Sequence, residues 1–511
     1  MPRIHIMDAR DEKAIGTDEV DFKENIEAGF GEDPALEKRI TRKLDFHILP
    51  WIFVIWLLAF IDRSNIGNAK IDGLTEDLNL TGNQFNVALT VFYILYILVD
   101  IPSNWVLKKV GGGHYLPLLA VAWGAIACGM GAVKSYGALI ACRLLLGVCE
   151  GGLFGGIILY LSMFYKRHNV MFRLGVFYCA APLSGAFGGL LASGLAQISY
   201  GGYDSWPWIF FVEGASERGL SHVVMTDDFL GAVTVVVAAV AYFFLPHTPS
   251  QAKFLTPEEQ AFAAHRLRID LHGATSAEHV EEEHFSWAAV RHALLNVNTI
   301  AMGINFLLIL VPIYSFSLFL PSIISGLGYE AIHAQLLTVP PNFLAFLAVL
   351  AAAYTSDKIK LRGPMIAGGL CIAAIGYIMQ LASDKGGVKY AGTFFIAVGA
   401  FPCSPLITAW LSNNLAPHYI RATGIGFIVA VGNCGAFIAT FTYLKEDAPE
   451  YTTGHAINLG AIGLSLILTI SNILYIKMEN KARESGKRDY RLARTGGEDL
   501  GYRHPEFRYT V

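Results

Sequence analysis

The sequence predicts an all-α polytopic membrane protein with twelve transmembrane helices. Only 16% of the 511 residues are charged and 54% are hydrophobic, whereas a soluble domain has about 25% charged and 45–50% apolar residues. Apolar runs of about 17–25 residues, each long enough to cross a bilayer, occur six times before and six times after one long polar stretch. The runs are 46–66, 85–107, 114–133, 139–164, 173–197, 229–246, 300–324, 333–353, 364–382, 390–411, 420–443 and 457–478.

The distribution of charge excludes several other classes of protein. Residues 1–45 hold 8 Lys and Arg against 12 Asp and Glu, which accounts for the whole net charge of −4. A chain without net basic charge is not expected to bind nucleic acid, and its apolar content excludes a disordered protein. The seven cysteines lie in apolar runs without a CxxC pair, so we expect neither disulfides nor a metal site.

The polar segments divide the chain and predict its orientation. Loops on the cytoplasmic side of a membrane protein carry an excess of Lys and Arg, and basic residues such as Lys38, Lys43, Lys108 and Arg291 collect on the side of the N-terminus. We therefore expect both termini in the cytoplasm. The predicted divisions are a tail (1–45), a six-helix lobe (46–246), a central cytoplasmic loop (247–298), a second six-helix lobe (299–478) and a tail (479–511).

The central loop contains one predicted helix. Thr256 can cap its first turn, with Pro257 at the first helical position. His265, His272 and His279 recur every seven residues. This spacing places them on one helical face, but too far apart for one metal ion to bridge, so an exposed face is favoured over a metal site.

The segment after Gly214 interrupts the sixth apolar run. Residues 206–214 resemble the beginning of a membrane helix, but polar residues follow and apolar sequence resumes only at Phe229. Two interpretations remain open. The segment 215–228 is either an extended outer loop or an insertion of roughly a dozen residues that reflects a gene-model or splicing error.

Four ionisable residues stand out inside the predicted spans. An ionisable residue at membrane depth costs about 2.5–3.5 kcal/mol on insertion scales and therefore indicates a function. Seven residues of helix return to nearly the same face, so Arg143 and Glu150 point to one side, as do Asp62 and Asn65. The four residues are Asp62 and Arg63 in the first span, and Arg143 and Glu150 in the fourth.

These residue types suit the transport of an anion together with protons. A carboxyl group in a low-dielectric cavity binds a proton more readily than one in water, and a guanidinium keeps its charge and can grip a carboxylate through two hydrogen bonds. The alternative is that the same residues form salt bridges that fix helix packing. Gly147, Gly151 and Gly155 favour close helix packing, and no motif of an ATPase or hydrolase is present.

An ordered set of segments resembles the major facilitator superfamily. The likeness covers roughly residues 38–480 and is to the anion:cation symporter branch, within it the fungal allantoate permease group of nicotinate, pantothenate, biotin and allantoate carriers. The matching segments are DRSNIGNAK (62–70), PSN (102–104), RLLLGVCEGG (143–152), WIFFVEG (208–214), FLPSII (319–324), WLSNN (410–414), Arg421, GN (432–433) and APEY (448–451).

The resemblance implies two pseudo-symmetric six-helix lobes that hold substrate between them and alternate by rocking. It assigns Arg63 to the substrate carboxylate, Asp62 and Glu150 to proton handling, and Arg143 to tuning the glutamate. Further substrate contacts are expected from Asn65, Asn413, Asn414, Asn305 and Tyr314.

The sequence thus predicts a secondary transporter for proton-coupled symport of a small organic anion, a carboxylate or vitamin-like acid. We expect a monomer in the plasma membrane, without a cofactor and without enzymatic activity. Two alternatives remain: an efflux carrier, because Pro182 and Gly185 partly match the antiporter motif of drug exporters, and a non-transporting nutrient sensor.

Overall fold

The structure is a computed structural model and is helical throughout its regular elements. Among the residues it describes, nine helices are long and apolar enough to cross a membrane, and three shorter apolar helices accompany them. Each of the twelve predicted runs overlaps one of these helices. The described residues are 34–165, 173, 175–195, 205–211, 230–272, 287–416, 418–491 and 501–511.

The helices before the central loop form the first lobe. Within it, the second and fourth spans pack along each other, as do the third and sixth, and the first and fifth. The first lobe comprises α1 (Pro34–His47), α2 (Leu49–Ala69), α3 (Gln84–Val110), α4 (Gly112–Gly131), α5 (Tyr136–Gly151), α6 (Leu153–Ser162), α7 (Ala180–Leu195), α8 (Ser205–Phe211) and α9 (Leu230–Phe244).

The second lobe follows two helices of the central loop, α10 (Pro257–His272) and α11 (Trp287–Leu294). Its helices pack in the corresponding way, with the ninth span against the tenth and twelfth. The second lobe comprises α12 (Val297–Gly326), α13 (Ala331–Leu337), α14 (Val339–Ile359), α15 (Arg362–Ala382), α16 (Gly386–Ala400), α17 (Cys403–Asn413), α18 (His418–Asn433), α19 (Gly435–Ala439) and α20 (Thr452–Glu484).

Breaks interrupt the fourth and tenth spans near their middle and the eleventh near one end. The fourth span breaks between α5 and α6 at Gly152, whose φ of −88° and ψ of 0° end one helix and begin the next. The tenth breaks between α16 and α17 at Phe401 and Pro402, and the eleventh between α18 and α19 at Cys434. Each break frees backbone polar groups and allows side chains to leave the regular helical pattern.

One face of the molecule carries α1, α10 and residues 501–511, and we call it the terminal face. Helix α1 docks on α10 through Glu259, which accepts hydrogen bonds of 2.8 and 2.6 Å from Lys43. The predicted cap is confirmed, because the Thr256 hydroxyl accepts from the amide of Glu259 and the Glu259 carboxylate accepts from the amide of Thr256. Burial alone would raise the pKa of Glu259, but these bonds lower it.

On the opposite face the two lobes touch. A Cβ added to Gly67 would lie 2.3 Å from the carbonyl oxygen of Leu318, so only glycine permits this approach of α2 to α12. The ammonium of Lys70 lies 5.3 Å from the ring centre of Phe319. The hydroxyls of Thr90 and Thr440 are 2.9 Å apart. These contacts close the opposite face.

The sixth span is divided between α8 and α9, which both pack against α4. At the opposite face Trp206 of α8 donates to Asp77. Midway through the membrane Thr234 of α9 contacts Asp62, and at the terminal face Leu245 lies against Gly113. The two helices therefore cover successive depths of one crossing, and the predicted insertion 215–228 lies outside the described residues.

We predict that deletion of residues 215–228 stabilises the protein. The deletion joins Gly214 to Phe229 and brings 205–214 and 229–244 into one helix of about 26 residues, or ~39 Å, which is enough to cross a bilayer. Helix α9 alone has 15 residues. In thermal melting of the purified protein in detergent, we expect the melting temperature to rise by at least about 2 °C. An unchanged or lower melting temperature would contradict the insertion interpretation.

Candidate functional site

A cavity lies between the two lobes near the middle of the membrane. Its volume is about 60 Å³ for the centres of water molecules, several times the ~10–15 Å³ that one water needs. Among the described residues, its lining includes one charged side chain, Arg63. The lining residues are Trp56, Phe60, Arg63, Tyr96, Phe154, Tyr178 and Ala181 of the first lobe, and Phe306, Leu310, Ile313, Tyr314, Phe401, Ser404, Val429 and Asn433 of the second.

Arg63 is buried and paired with the glutamate predicted to handle protons. Its Nη2 and Nε donate to Oε2 of Glu150 at 2.8 and 3.3 Å. The two residues are 5% and 1% exposed, so the pair is shielded from solvent. Removing one partner of such a buried pair typically costs 3–5 kcal/mol, and the pair therefore fixes both side chains at the cavity wall.

Three aromatic rings surround the guanidinium of Arg63. Its Cζ lies 5.1 Å from the ring centre of Phe60, 5.1 Å from that of Phe92 and 4.7 Å from that of Tyr96. A cation is attracted to the face of an aromatic ring at these distances. The rings replace part of the lost hydration of Arg63 and hold its guanidinium at the cavity wall.

Two glycines of the predicted GxxxGxxxG pattern bring these groups together. A Cβ on Gly147 would lie 2.3 Å from the carbonyl oxygen of Phe92, and one on Gly151 would lie 2.5 Å from that of Tyr96. Only hydrogen at these positions lets α5 pack directly on α3. The approach places Glu150 next to the rings that contact Arg63.

Arg143 completes a buried group of charges. It is 1% exposed and interacts electrostatically with Glu150, as the spacing of seven residues predicts. Its Nε and Nη2 and the Oε1 of Glu150 have no hydrogen-bond partner among the described residues. Arg63, Arg143 and Glu150 together carry a formal charge of +1, which favours the entry of one anion.

Asp62 and Asn65 point away from the cavity. Oδ2 of Asp62 accepts from the indole of Trp123 at 3.2 Å and lies 3.5 Å from the hydroxyl of Thr234, which places it between α2, α4 and α9. Asn65 is buried against Gly188 of α7. Their predicted roles in proton handling and substrate binding are not tested by this geometry.

Of the two residues predicted on α12, the structure brings only Tyr314 to the cavity. Its hydroxyl donates to Oδ1 of Asn433 at 2.7 Å. Asn305 faces α20 instead, where it donates to Thr469 at 2.8 Å and accepts from Ser465 at 2.5 Å.

Asn413 and Asn414 lie at the terminal face and not at the cavity. Asn413 is exposed, and Asn414 is fully buried and bonded to Thr510. Asn433 and Ser404 are the polar lining residues of the second lobe that sequence reasoning missed as contacts. Both are adjacent to helix breaks, which is where transporters expose polar groups to substrate.

The described residues contain no group of three or more His, Cys, Asp and Glu that could hold a metal ion. All seven cysteines are free. His279 and the whole predicted insertion lie outside the described residues. Among the described residues, the site comprises one ion pair, several aromatic rings and a few neutral polar groups.

The comparisons with known proteins identify the family. The family model of the Major Facilitator Superfamily matches residues 52–216 and 229–440. The chain belongs to the Major Facilitator Superfamily. It is 36% identical to an uncharacterized transporter of Schizosaccharomyces pombe, covering 96% of this chain and 93% of that one. It is 32% identical to the high-affinity nicotinic acid transporter of Saccharomyces cerevisiae, covering 93% of this chain and 85% of that one.

Solved structures confirm the predicted fold of this major facilitator protein. The proton:xylose symporter XylE superposes with a TM-score of 0.61 at 15% identity, over 85% of this chain and 95% of the symporter chain. The relatives are transporters and not enzymes, as the sequence predicts. The family match also omits residues 217–228, which lie within the predicted insertion.

We predict that Asn305 stabilises the second lobe. Asn305→Ala leaves the buried hydroxyls of Thr469 and Ser465 without their partner, at a cost of about 1–3 kcal/mol, and should lower the melting temperature of the purified protein. Asn413→Ala, at an exposed position, is the matched control and should leave it unchanged. Equal melting temperatures for the two variants would contradict a stabilising role of Asn305.

Proposed function

We propose that this protein is a secondary transporter that carries a small organic anion together with protons by alternating access. The observation that supports this most strongly is the buried guanidinium of Arg63 at the wall of the central cavity. A carboxylate is its natural ligand, because a guanidinium can donate two parallel hydrogen bonds to one carboxylate.

A substrate carboxylate competes with Glu150 for Arg63. In the structure Arg63 is paired with Glu150, so a substrate anion must displace that carboxylate from at least one donor. The displaced carboxylate would be left in a buried site with an uncompensated charge, which is strongly unfavourable. Taking up a proton removes this cost, and anion binding at Arg63 is thereby coupled to protonation of Glu150.

Arg143 supports the coupling from the other side of the glutamate. Its unpartnered Nε and Nη2 keep positive charge near Glu150 when Arg63 turns to the substrate. This charge favours release of the proton once the substrate has left. Asp62 remains a candidate for a second proton site, held by Trp123.

The walls of the cavity favour a planar acid. Trp56, Phe154, Tyr178 and Phe401 surround the space beside Arg63, and flat rings stack on such side chains with offset or edge-on geometry. The high-affinity nicotinic acid transporter, a relative at 32% identity, is named for an acid of this kind. Aromatic monocarboxylates are therefore the first substrates to test.

The basic residues predict that the terminal face is cytoplasmic. With this orientation, the closed opposite face is the outer face of the transporter. The lining residues extend from Arg63 back along α2 to Trp56, toward the terminal face. The structure would then be an inward-facing state, and we propose that the protein acts as a monomer in the plasma membrane. Substrate would be released into the cytoplasm from this state.

We predict that Arg63 supplies the anion site. Glu150→Gln alone frees the donors of Arg63, whereas Arg63→Gln combined with Glu150→Gln removes both charges of the pair and keeps the net charge of the group at +1, on Arg143. Nicotinate binding, measured by isothermal titration in detergent, should persist in the single variant and weaken by about 10–100-fold in the double variant. If nicotinate does not bind the wild type, a panel of carboxylates replaces it. Equal affinity of the two variants would refute the assignment of Arg63.

We predict that Glu150 couples transport to protons. In proteoliposomes, Glu150→Gln should abolish uptake driven by an inward proton gradient, because glutamine cannot bind and release a proton. Exchange of labelled for unlabelled substrate should continue, since the site itself remains. A variant that still accumulates substrate against its gradient would show that another group, such as Asp62, carries the proton.

A further inference from the structure

The last described segment of the chain lies in a groove at the terminal face of the second lobe. Its residues are held by residues of three helices: Arg362 begins α15, Trp410 lies on α17, and Asn480 lies on α20. The amide of Arg362 donates to Val511, and the indole of Trp410 donates to the carbonyl of Thr510 at 2.8 Å. We call residues 502–511 the strap.

Two asparagines bind the backbone of the strap in the same way. Asn414 accepts from the amide of Thr510 at 2.8 Å and donates to its carbonyl at 3.0 Å. Asn480 accepts from the amide of Tyr509 at 3.0 Å and donates to its carbonyl at 2.8 Å. Each side-chain amide thus satisfies both polar groups of one residue, as the side chains of peptide-binding grooves do for an extended peptide.

Arg483 binds the other half of the strap. Its Nη1 donates to the carbonyls of Tyr502, His504 and Phe507 at 3.0, 3.3 and 2.8 Å. Its guanidinium is oriented by Glu479, to which its Nε donates at 3.2 Å. Arg483 is therefore held in place by its own helix while it binds the strap.

Two tyrosines of the strap fill the groove. Tyr502 and Tyr509 are only 7% and 6% exposed. The ring centre of Tyr509 lies 4.4 Å from the guanidinium carbon of Arg483, and the hydroxyl of Tyr502 donates to the carbonyl of His292 at 3.0 Å. Backbone bonds and two aromatic anchors together define a specific peptide site.

The groove connects the strap to the central cavity through α17. The first turn of this helix carries Ser404, which lines the cavity, and its other end carries Trp410 and ends beside Asn414. Six residues of helix separate Ser404 from Trp410, a distance of about 9 Å. A segment that fixes the terminal end of α17 therefore also restrains a wall of the cavity.

We propose that the terminal face of the second lobe is a peptide-binding site whose ligand is the strap, and that strap docking holds α17 in place. The strap ties α17 to α15 and α20. Its release frees the end of α17 without altering the Arg63 site. Asn414 therefore belongs to the groove that binds the strap and not to the substrate site. The inference does not depend on which substrate is carried.

Limited proteolysis of the full-length protein tests the docking. Trypsin can cleave after Arg503 and Arg508 only when the strap leaves the groove. In the variant that combines Asn414→Ala with Asn480→Ala, cleavage at these sites should be about tenfold faster than in the wild type. Asn413→Ala, the exposed neighbour, should cleave at the wild-type rate. Equal cleavage rates in all three proteins would overturn the proposal.

Hydrogen exchange tests the effect on α17. In the combined variant, amides of α17 should exchange faster than in the wild type, whereas amides of α5 in the other lobe should not change. A synthetic peptide of residues 501–511, added to protein lacking 502–511, should slow exchange in α17 again. Thr510→Glu in the peptide places a negative charge against Oδ1 of Asn414 and should weaken this rescue. Unchanged exchange in α17 after strap release would overturn the proposed restraint.

Discussion

The buried ion pair of Arg63 and Glu150 is the constraint on which the site depends. Taking two charges out of water costs several kcal/mol per ion, and their attraction repays this only with good geometry and further contacts. Gly147 and Gly151 supply the geometry by letting α5 pack on α3. In the proposed cycle, a substrate carboxylate replaces Glu150 at Arg63 when protonation of Glu150 removes the cost of leaving its charge unpaired.

The rest of the cavity is organised around that pair by broken helices. A continuous apolar helix has all its backbone groups satisfied internally and presents only side chains. The breaks after α16 and α18 place Ser404 and Asn433 at the depth of Arg63, on the other lobe. The cavity thus has its charged lining residue on the first lobe and neutral polar lining residues on the second, so in the proposed function both lobes would contact the substrate.

The asparagines show that the role of one residue type depends on its position in the fold. Asn433 stands at a helix break and lines the cavity. Asn305 bridges α12 to α20, and Asn414 binds the backbone of the strap. In each case a buried amide finds partners, because an unsatisfied polar group inside a protein is costly. The chemistry is the same, and the neighbouring elements determine whether the amide joins two helices, binds the strap or lines the cavity.

The sequence by itself determined the twelve spans, the Thr256 cap, and the burial of Arg63 and Glu150. These follow from local quantities, namely the length of apolar runs, turn chemistry, and the cost of charge at membrane depth. Only the tertiary structure decided that Arg63 pairs with Glu150, that Asp62 turns to Trp123, and that Asn414 holds the strap. The physical reason is that the direction and the partner of a side chain depend on how its helix is rotated and where it is broken. Both are set by packing between segments far apart in the chain.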